Sequence, residues 1–375
     1  MLKAPNYRIF CLIGIIIAFN VAAISAIIPG VAETMGKSEF ASGSIIWAYM
    51  IPYGICALFY GPLSRRFQIK SILLACLGLF SLFSFLSSTA KSLEILFVFR
   101  FFTGVFAAAM TPLTLICIAH TFKLNERGKA VGTFFSITFI SSLSGLFLSG
   151  IISWRLIFLI PAIIAAVTFA LVFLFFKNTG IASDGPVSRY IQALKTPKIV
   201  RVFCYIFLVS LLYHLARQWM GVYLHIEHAL SKFTISMLLT TVSFAGIFGE
   251  FFGGLTADKK GRVFTLSIGA FFMSISIIML PNAEKIIPLA IIMFTWGLGW
   301  TINHSGLSTY LTDMPKPYLQ EVSSLNSSVR FLAGGLGAAL GTILMQKSFS
   351  LTFIAIGIIL LLLSLSSKLM LNHNT

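Results

Sequence analysis

Seven ionisable side chains interrupt sequence that is otherwise almost wholly apolar: Glu33, Arg100, His214, Arg217, Glu250, His304 and Arg330. An ionised group held in hydrocarbon costs about 2.5 to 3.5 kcal/mol on insertion scales, so such residues mark a pathway or a pair by default. The three guanidiniums stay charged and offer forked donors, a chemistry suited to a carboxylate-bearing or otherwise anionic ligand. The carboxylates and imidazoles could instead carry a proton.

Spacing groups several of these residues. His214 and Arg217 are one helical turn apart and share a face with Gln218, a polar stripe that points inward unless it lies near the outer interface, where Arg217 could snorkel. Trp296, Trp300, Asn303 and His304 follow i, i+4, i+7 and i+8, so one face combines two indoles with two polar groups. Such a face suits an amphipathic ligand, and it equally suits packing or an interfacial belt. If His304 lines a cavity it would titrate during transport, and a neutral ring bonded to a nearby hydroxyl is the alternative. Glu250 either pairs with the basic stretch that begins at Gly254 or carries a proton. Glu33, near the outer end of the first apolar run, is a second candidate proton site. Arg100 makes a structural hydrogen bond or takes part in coupling, whereas Arg330, at mid-depth of its run, is the candidate substrate anchor.

Other chemistries lack their signatures. No G-x-x-x-x-G-K-S/T loop suggests direct use of ATP, and no metalloprotease helix or hydrolase elbow is present, so no enzyme is expected. Cys11, Cys56, Cys76, Cys117 and Cys204 show no CxxC spacing and sit in or beside apolar runs, as small packing residues do. No disulfide, metal or cofactor is expected.

The elements that must position these side chains follow from composition. Of 375 residues, 58% are hydrophobic and 10% charged, against roughly 45 to 50% and about 25% in a soluble domain. Apolar runs of about 20 residues select membrane-spanning helices, because a bilayer leaves no water for free peptide groups. Twelve are expected, near 9–30, 41–61, 71–89, 93–118, 129–151, 155–176, 201–224, 234–255, 263–281, 285–311, 322–346 and 350–371. The fold class is therefore an all-α integral membrane protein. The opening MLKAPNYR leads into a run too long for a signal-peptide core and reads as the start of the retained first helix.

Of the 27 lysines and arginines, three lie deep in spans, eighteen fall on one face (Lys3, Arg65, Lys123, Arg127, Lys129 and Lys316 among them) and six on the other. That bias places both termini in the cytoplasm and accounts for the net charge of +16 without a nucleic-acid partner.

The longest polar stretch, Lys177 to Lys198, separates six spans from six. The division expected is an N-terminal bundle over 1–176, a cytoplasmic linker over 177–200 and a C-terminal bundle over 201–375. In the linker Val187, Tyr190, Ile191 and Leu194 recur at i, i+3, i+4 and i+7, the pattern of a short interfacial helix, with a plain linker as the alternative. GPLSRRFQIK after the second span has a relative in GLTADKKGR after the eighth, Gly61 preceding Gly254 by 193 positions. Two six-helix halves with matching loops are a transporter architecture, with a site between halves that rock about it.

Here the chain resembles the major facilitator superfamily over nearly its whole length. Gly254, Asp258, Lys259, Gly261 and Arg262 match the family's G-x-x-x-D-R/K-x-G-R/K loop. In the first-half copy Gly61, Arg66 and Lys70 fit, but Arg65 replaces the aspartate and Gln68 the second glycine. RFFTGVFAA, with Arg100, Gly104, Ala107 and Ala108, looks like the family's helix-four pattern, and NERGKAVG and WRLIF look like its entries to helices five and six. SSLSGLFLSG keeps Gly145, Leu148 and Gly150 of the motif typical of proton-driven exporters, with Leu146 at its proline and Ser149 at a glycine. The nearest pattern is the drug:proton antiporter, or efflux permease, branch.

The resemblance implies a cytoplasmic latch in the GLTADKKGR loop, closed when the cavity faces outward and tuning the balance of two conformers rather than touching substrate. Gly254 and Gly261 would permit a sharp turn and close helix approach, and Asp258 would accept hydrogen bonds from basic neighbours. Arg65 cannot accept them, so the first-half loop is not expected to latch in the same way. AGGLGAALG, residues 333 to 341, resembles a small-residue packing face.

The expected function is a monomeric secondary transporter in the cell membrane that moves a small molecule by alternating access, through proton-coupled efflux of an amphipathic compound. Proton-coupled uptake of a small organic anion competes with it. A transporter-like sensor or membrane partner that moves nothing is the rival of another class.

Overall fold

The computed structural model describes residues 5–122, 124–176, 189–312, 314 and 318–371, without the side chains of 5, 119, 124–129, 312, 319, 320 and 323. The linker from 177 to 188, including Val187, lies outside the described residues, as do Lys3, Lys123, Lys316 and the side chains of Arg127 and Lys129.

Chain contacts divide the protein into two compact units, Met1–Ser188 and Arg189–Thr375. In the first, helices α1 (Pro5–Ala22), α2 (Ile24–Met35), α3 (Glu39–Ser42), α4 (Ser44–Arg66) and α5 (Ile69–Thr89) are followed by α6 (Leu93–Ala107), α7 (Met110–Thr121), α8 (Leu124–Ser149) and α9 (Trp154–Phe175). The second holds α10 (Tyr190–Leu194), α11 (Pro197–Arg217), α12 (Met220–Ile226), α13 (Lys232–Lys260), α14 (Arg262–Met279), a 3-10 turn at Leu280–Asn282, α15 (Ile286–Thr312), α16 (Leu319–Lys347) and α17 (Phe349–Leu371). Among the described residues there is no strand.

Eleven spans are long and apolar enough to cross a membrane, and a bent pair makes up to twelve. It is a multi-pass membrane protein. Three expected spans are not straight. The first runs on to Met35 and bends by 56° between Ala22 and Ile24. Pro29, one turn beyond, cannot donate to the carbonyl of Ser25, so the ladder is open there. The run at 93–118 is interrupted at Ala108–Ala109, and the run at 201–224 at Gln218–Trp219, where the Trp219 indole donates to the Ala338 carbonyl at 3.0 Å. The short helix of the linker is the five-residue α10, with Ile191 and Leu194 exposed.

The two units repeat one packing scheme. In the first, α4 packs on α6, α5 on α9 and α1 on α8; in the second, α13 packs on α15, α14 on α17 and α11 on α16. Gly104 leaves no room for a Cβ against the Tyr49 carbonyl, and Gly297 none against that of Val242, both residues lying 193 positions further on. Ser81 donates to the Ala162 carbonyl at 2.8 Å, and Ser274, again 193 on, to that of Gly357 at 2.7 Å. Lipid tails give helices no hydrophobic reason to associate, so close backbone approach and hydroxyl-to-carbonyl bonds hold the bundle together. The run at 333–341 acts in this way, with Gly337 against the Leu211 backbone and Gly341 against the Trp219 ring.

Candidate functional site

Within the second unit, four helices bring aromatic and ionisable side chains together. Helix α11 supplies Tyr213 and His214, α13 Glu250, α15 Trp296, Trp300 and His304, and α16 Asn326 and Arg330. Tyr213 is the centre. Its ring stacks on Trp300 with centroids 3.7 Å apart and planes at 10°, and on Trp296 at 5.5 Å and 8°. Beyond this stack His304 Nδ1 stands 2.8 Å from Glu250 Oε1, both side chains partly open to solvent at 37% and 45%. The His304 ring lies 6.3 Å from that of Trp300.

Arg330 also belongs to the group, interacting electrostatically with Glu250 and His214. Its guanidinium carbon lies 5.8 Å from the Trp300 ring centroid, within cation–π reach. Nε donates to Asn326 Oδ1 at 2.7 Å, one turn back on the same helix. The terminal nitrogens Nη1 and Nη2 are buried and have no hydrogen-bond partner among the described residues. The aromatic wall therefore has a carboxylate–imidazole pair and a forked donor beside it.

The shared scaffold does not demand these groups. The positions 193 residues before Glu250, Trp300 and His304 are Ala57, Ala107 and Thr111, although the helix contacts around them recur. The first unit carries none of these three side chains at the matching positions.

The other candidates go elsewhere. Asn303 does not join Trp300 and His304: it is wholly buried and donates to Tyr205 Oη and to the Leu266 carbonyl, both at 2.8 Å, tying α15 to α11 and α14. The four-residue face therefore splits, with Trp296 and Asn303 buried and Trp300 and His304 on the open side. His214 Nδ1 lies 3.3 Å from Gln218 Nε2, while Arg217 is buried and interacts with the side chain of Tyr213. Glu250 pairs with His304 and not with the basic loop. Glu33 is exposed near the end of α2.

In the first unit Arg100 is 1% exposed. Nη1 donates to Asn20 Oδ1 at 2.9 Å and Nε to the Ile45 carbonyl at 3.4 Å, while the guanidinium lies over Tyr49 at 4.4 Å and Phe158 at 5.2 Å. This one side chain ties α6 to α1, α4 and α9.

The two motif loops differ in their turns. Gly261 (φ +91°, ψ 158°) ends α13 and begins α14 by itself. The first-unit turn uses Phe67 and Gln68, both extended at negative φ, so no glycine is required at Gln68. Gly254 lies inside α13 with only Ser305 near; the glycine of close approach is Gly253, where a Cβ would stand 2.9 Å from Ser305 Cβ and 3.0 Å from Ile302 Cα. Asp258 faces Arg262 Nη1 at 3.5 Å, and Arg262 also donates to the Ala257 carbonyl at 3.0 Å. Lys259 is exposed, and Lys260 lies 5.2 Å from the Phe264 ring. Gly61 is helical, Arg65 is half-buried, Arg66 is exposed, and Lys70 Nζ caps the carbonyl of Phe173 at 3.0 Å, where the negative end of α9 favours a cation.

Sequence reasoning missed Tyr213 and Asn326. Tyr213 carried one signal, its place a turn before Arg217; Asn326 likewise precedes Arg330 by a turn.

Comparison with known proteins agrees with this architecture. A protein-family model described as Major Facilitator Superfamily matches residues 10–338. Multidrug resistance protein D of Escherichia coli (strain K12) is 23% identical over 401 aligned positions, covering 100% of this chain and 99% of that protein. Uncharacterized MFS-type transporter YceJ of Bacillus subtilis (strain 168) is 24% identical over 275, covering 71% and 70%. A D-xylose–proton symporter of known crystal structure shares the fold at a TM-score of 0.76 and 16% identity, covering 97% and 96%. With eleven apolar spans and a bent pair that makes up to twelve, a twofold packing repeat and a family match across most of its length, the chain belongs to the Major Facilitator Superfamily and is a membrane transporter of that family.

Proposed function

We propose that this transporter exports amphipathic compounds across the cell membrane, exchanging them for protons by alternating exposure of one site to the two sides. The observation that carries this reading is the Tyr213–Trp300 stack with the Glu250–His304 pair beside it. An aromatic wall binds flat apolar molecules by area and stacking with few directional demands. On this reading the carboxylate–imidazole pair in the same place is where proton transfer meets occupancy. The likeness to Multidrug resistance protein D supports export rather than uptake. The lysine and arginine bias supports cytoplasmic termini, and the Asp258–Arg262 contact supports a latch in that loop.

The test is flux in proteoliposomes. An imposed proton gradient should drive an amphipathic dye toward the acidic compartment, and a protonophore should stop it. Flux indifferent to the gradient would overturn the coupling, and absence of flux for every dye would favour the non-transporting sensor.

A further inference from the structure

We infer that the cargo is an organic anion, a flat aromatic body bearing a carboxylate, sulfonate or similar group, with that group held by Nη1 and Nη2 of Arg330 and the ring laid against Trp300. This names the substrate class of the site proposed above and rests on that reading.

Two terminal guanidinium nitrogens buried without acceptors are costly, because a charged donor loses its water and gains nothing for it. Asn326 satisfies Nε and leaves the planar Nη edge bare, the edge that matches the two oxygens of an acidic group. Asn326 also fixes the rotamer, so the fork is preorganised. Trp300 is near both, its ring 5.8 Å from the guanidinium carbon and 3.7 Å from the Tyr213 ring, so a ligand whose acid contacts Arg330 brings its ring system to aromatic surface.

Charge points the same way. The groups on the four helices around the site are His214 and Arg217 on α11, Glu250 on α13, His304 on α15 and Arg330 on α16. Glu250 is hydrogen-bonded to His304 and also attracts Arg330 electrostatically, so two guanidiniums stand against one carboxylate that is shared with an imidazole. In a low-dielectric layer that surplus favours an anion and repels a cation.

The experiment uses full-length protein in detergent and three probes of one shape: 2-naphthalenesulfonate, its neutral sulfonamide and 2-naphthylmethylammonium, with binding read from tryptophan fluorescence. The sulfonate should bind at least about tenfold more tightly than the sulfonamide, the worth of one charge-assisted hydrogen-bond pair. Arg330→Gln should erase that preference while leaving the sulfonamide within about threefold, and Arg330→Lys, which keeps charge but loses the fork, should fall between. Equal affinity for the three probes on wild-type protein would overturn the anion assignment and leave the amphipath reading standing, a comparison that needs no variant to fold. No binding by any naphthalene would overturn that reading and this inference with it.

Discussion

His304 Nδ1 lies 2.8 Å from Glu250 Oε1, joining α15 to α13 by an imidazole–carboxylate contact between residues 54 apart in the chain. The pair is partly open to solvent, and it flanks the aromatic stack without belonging to it. Replacing Glu250 by Gln keeps the shape and removes the negative charge. Binding of 2-naphthalenesulfonate should persist, and tighten, because a competing carboxylate has gone. Proton-driven flux of the same probe should be lost. Paired equilibrium binding and proteoliposome measurements on Glu250→Gln check both halves.

Trp296 and Trp300 stack on the same tyrosine but differ in exposure, the first 0% accessible and the second open on one side. Trp300→Ala should weaken every naphthalene probe by about tenfold, near the upper value for a lost aromatic pair, with a small change in Tm. Trp296→Ala should instead cost about 3 to 5 kcal/mol of stability through the cavity it leaves. Melting curves beside binding isotherms separate the two roles.

The Gly104–Tyr49 and Gly297–Val242 contacts are one contact made twice. An added methyl meets a carbonyl on the facing helix, which cannot turn aside as a side chain can. Gly104→Ala and Gly297→Ala should each destabilise by about 1 to 3 kcal/mol. Gly132→Ala, where no described atom outside the backbone of its own helix lies within 4 Å of the new methyl, should be neutral or stabilising by a few tenths, as alanine is in a helix. Thermal unfolding of the three variants provides the comparison, and equal Tm values would count against the packing argument.

Gly261 turns the chain from α13 to α14 at φ +91° and ψ 158°, a region that side chains avoid, yet no atom lies within 4 Å of a Cβ built there. Gly261→Ala should therefore cost about 1 to 3 kcal/mol through backbone strain alone. If the loop balances two conformers, the substitution should also alter flux without altering probe affinity. Gln68→Gly in the other loop should do neither, since that turn uses extended backbone.

An anionic cargo moves charge. Each elementary charge crossing the membrane exchanges about 2.3 kcal/mol with a potential of 100 mV. Exchange of one anion outward for one proton inward carries two charges in the same electrical direction, so a potential negative on the cargo side should speed sulfonate flux more than sulfonamide flux. A potassium diffusion potential set with valinomycin tests this, and equal responses would argue against charge on the cargo.

Much of the architecture was legible in the chain itself. Twelve apolar runs, the bias of lysine and arginine and the 193-residue repeat follow from hydrophobicity and spacing, which are local and additive. The residues able to do chemistry were legible for the same reason, since ionisable groups stand out in apolar sequence. Their partners were not. Asn303 and His304 fall on one broad helical face, and only the neighbouring helices send the first to Tyr205 and the second to Glu250. Tyr213 looked like one aromatic among many until α15 laid two indoles against it. Periodicity of 3.6 residues fixes the face on which a side chain emerges, and close packing between helices distant in sequence decides what it meets.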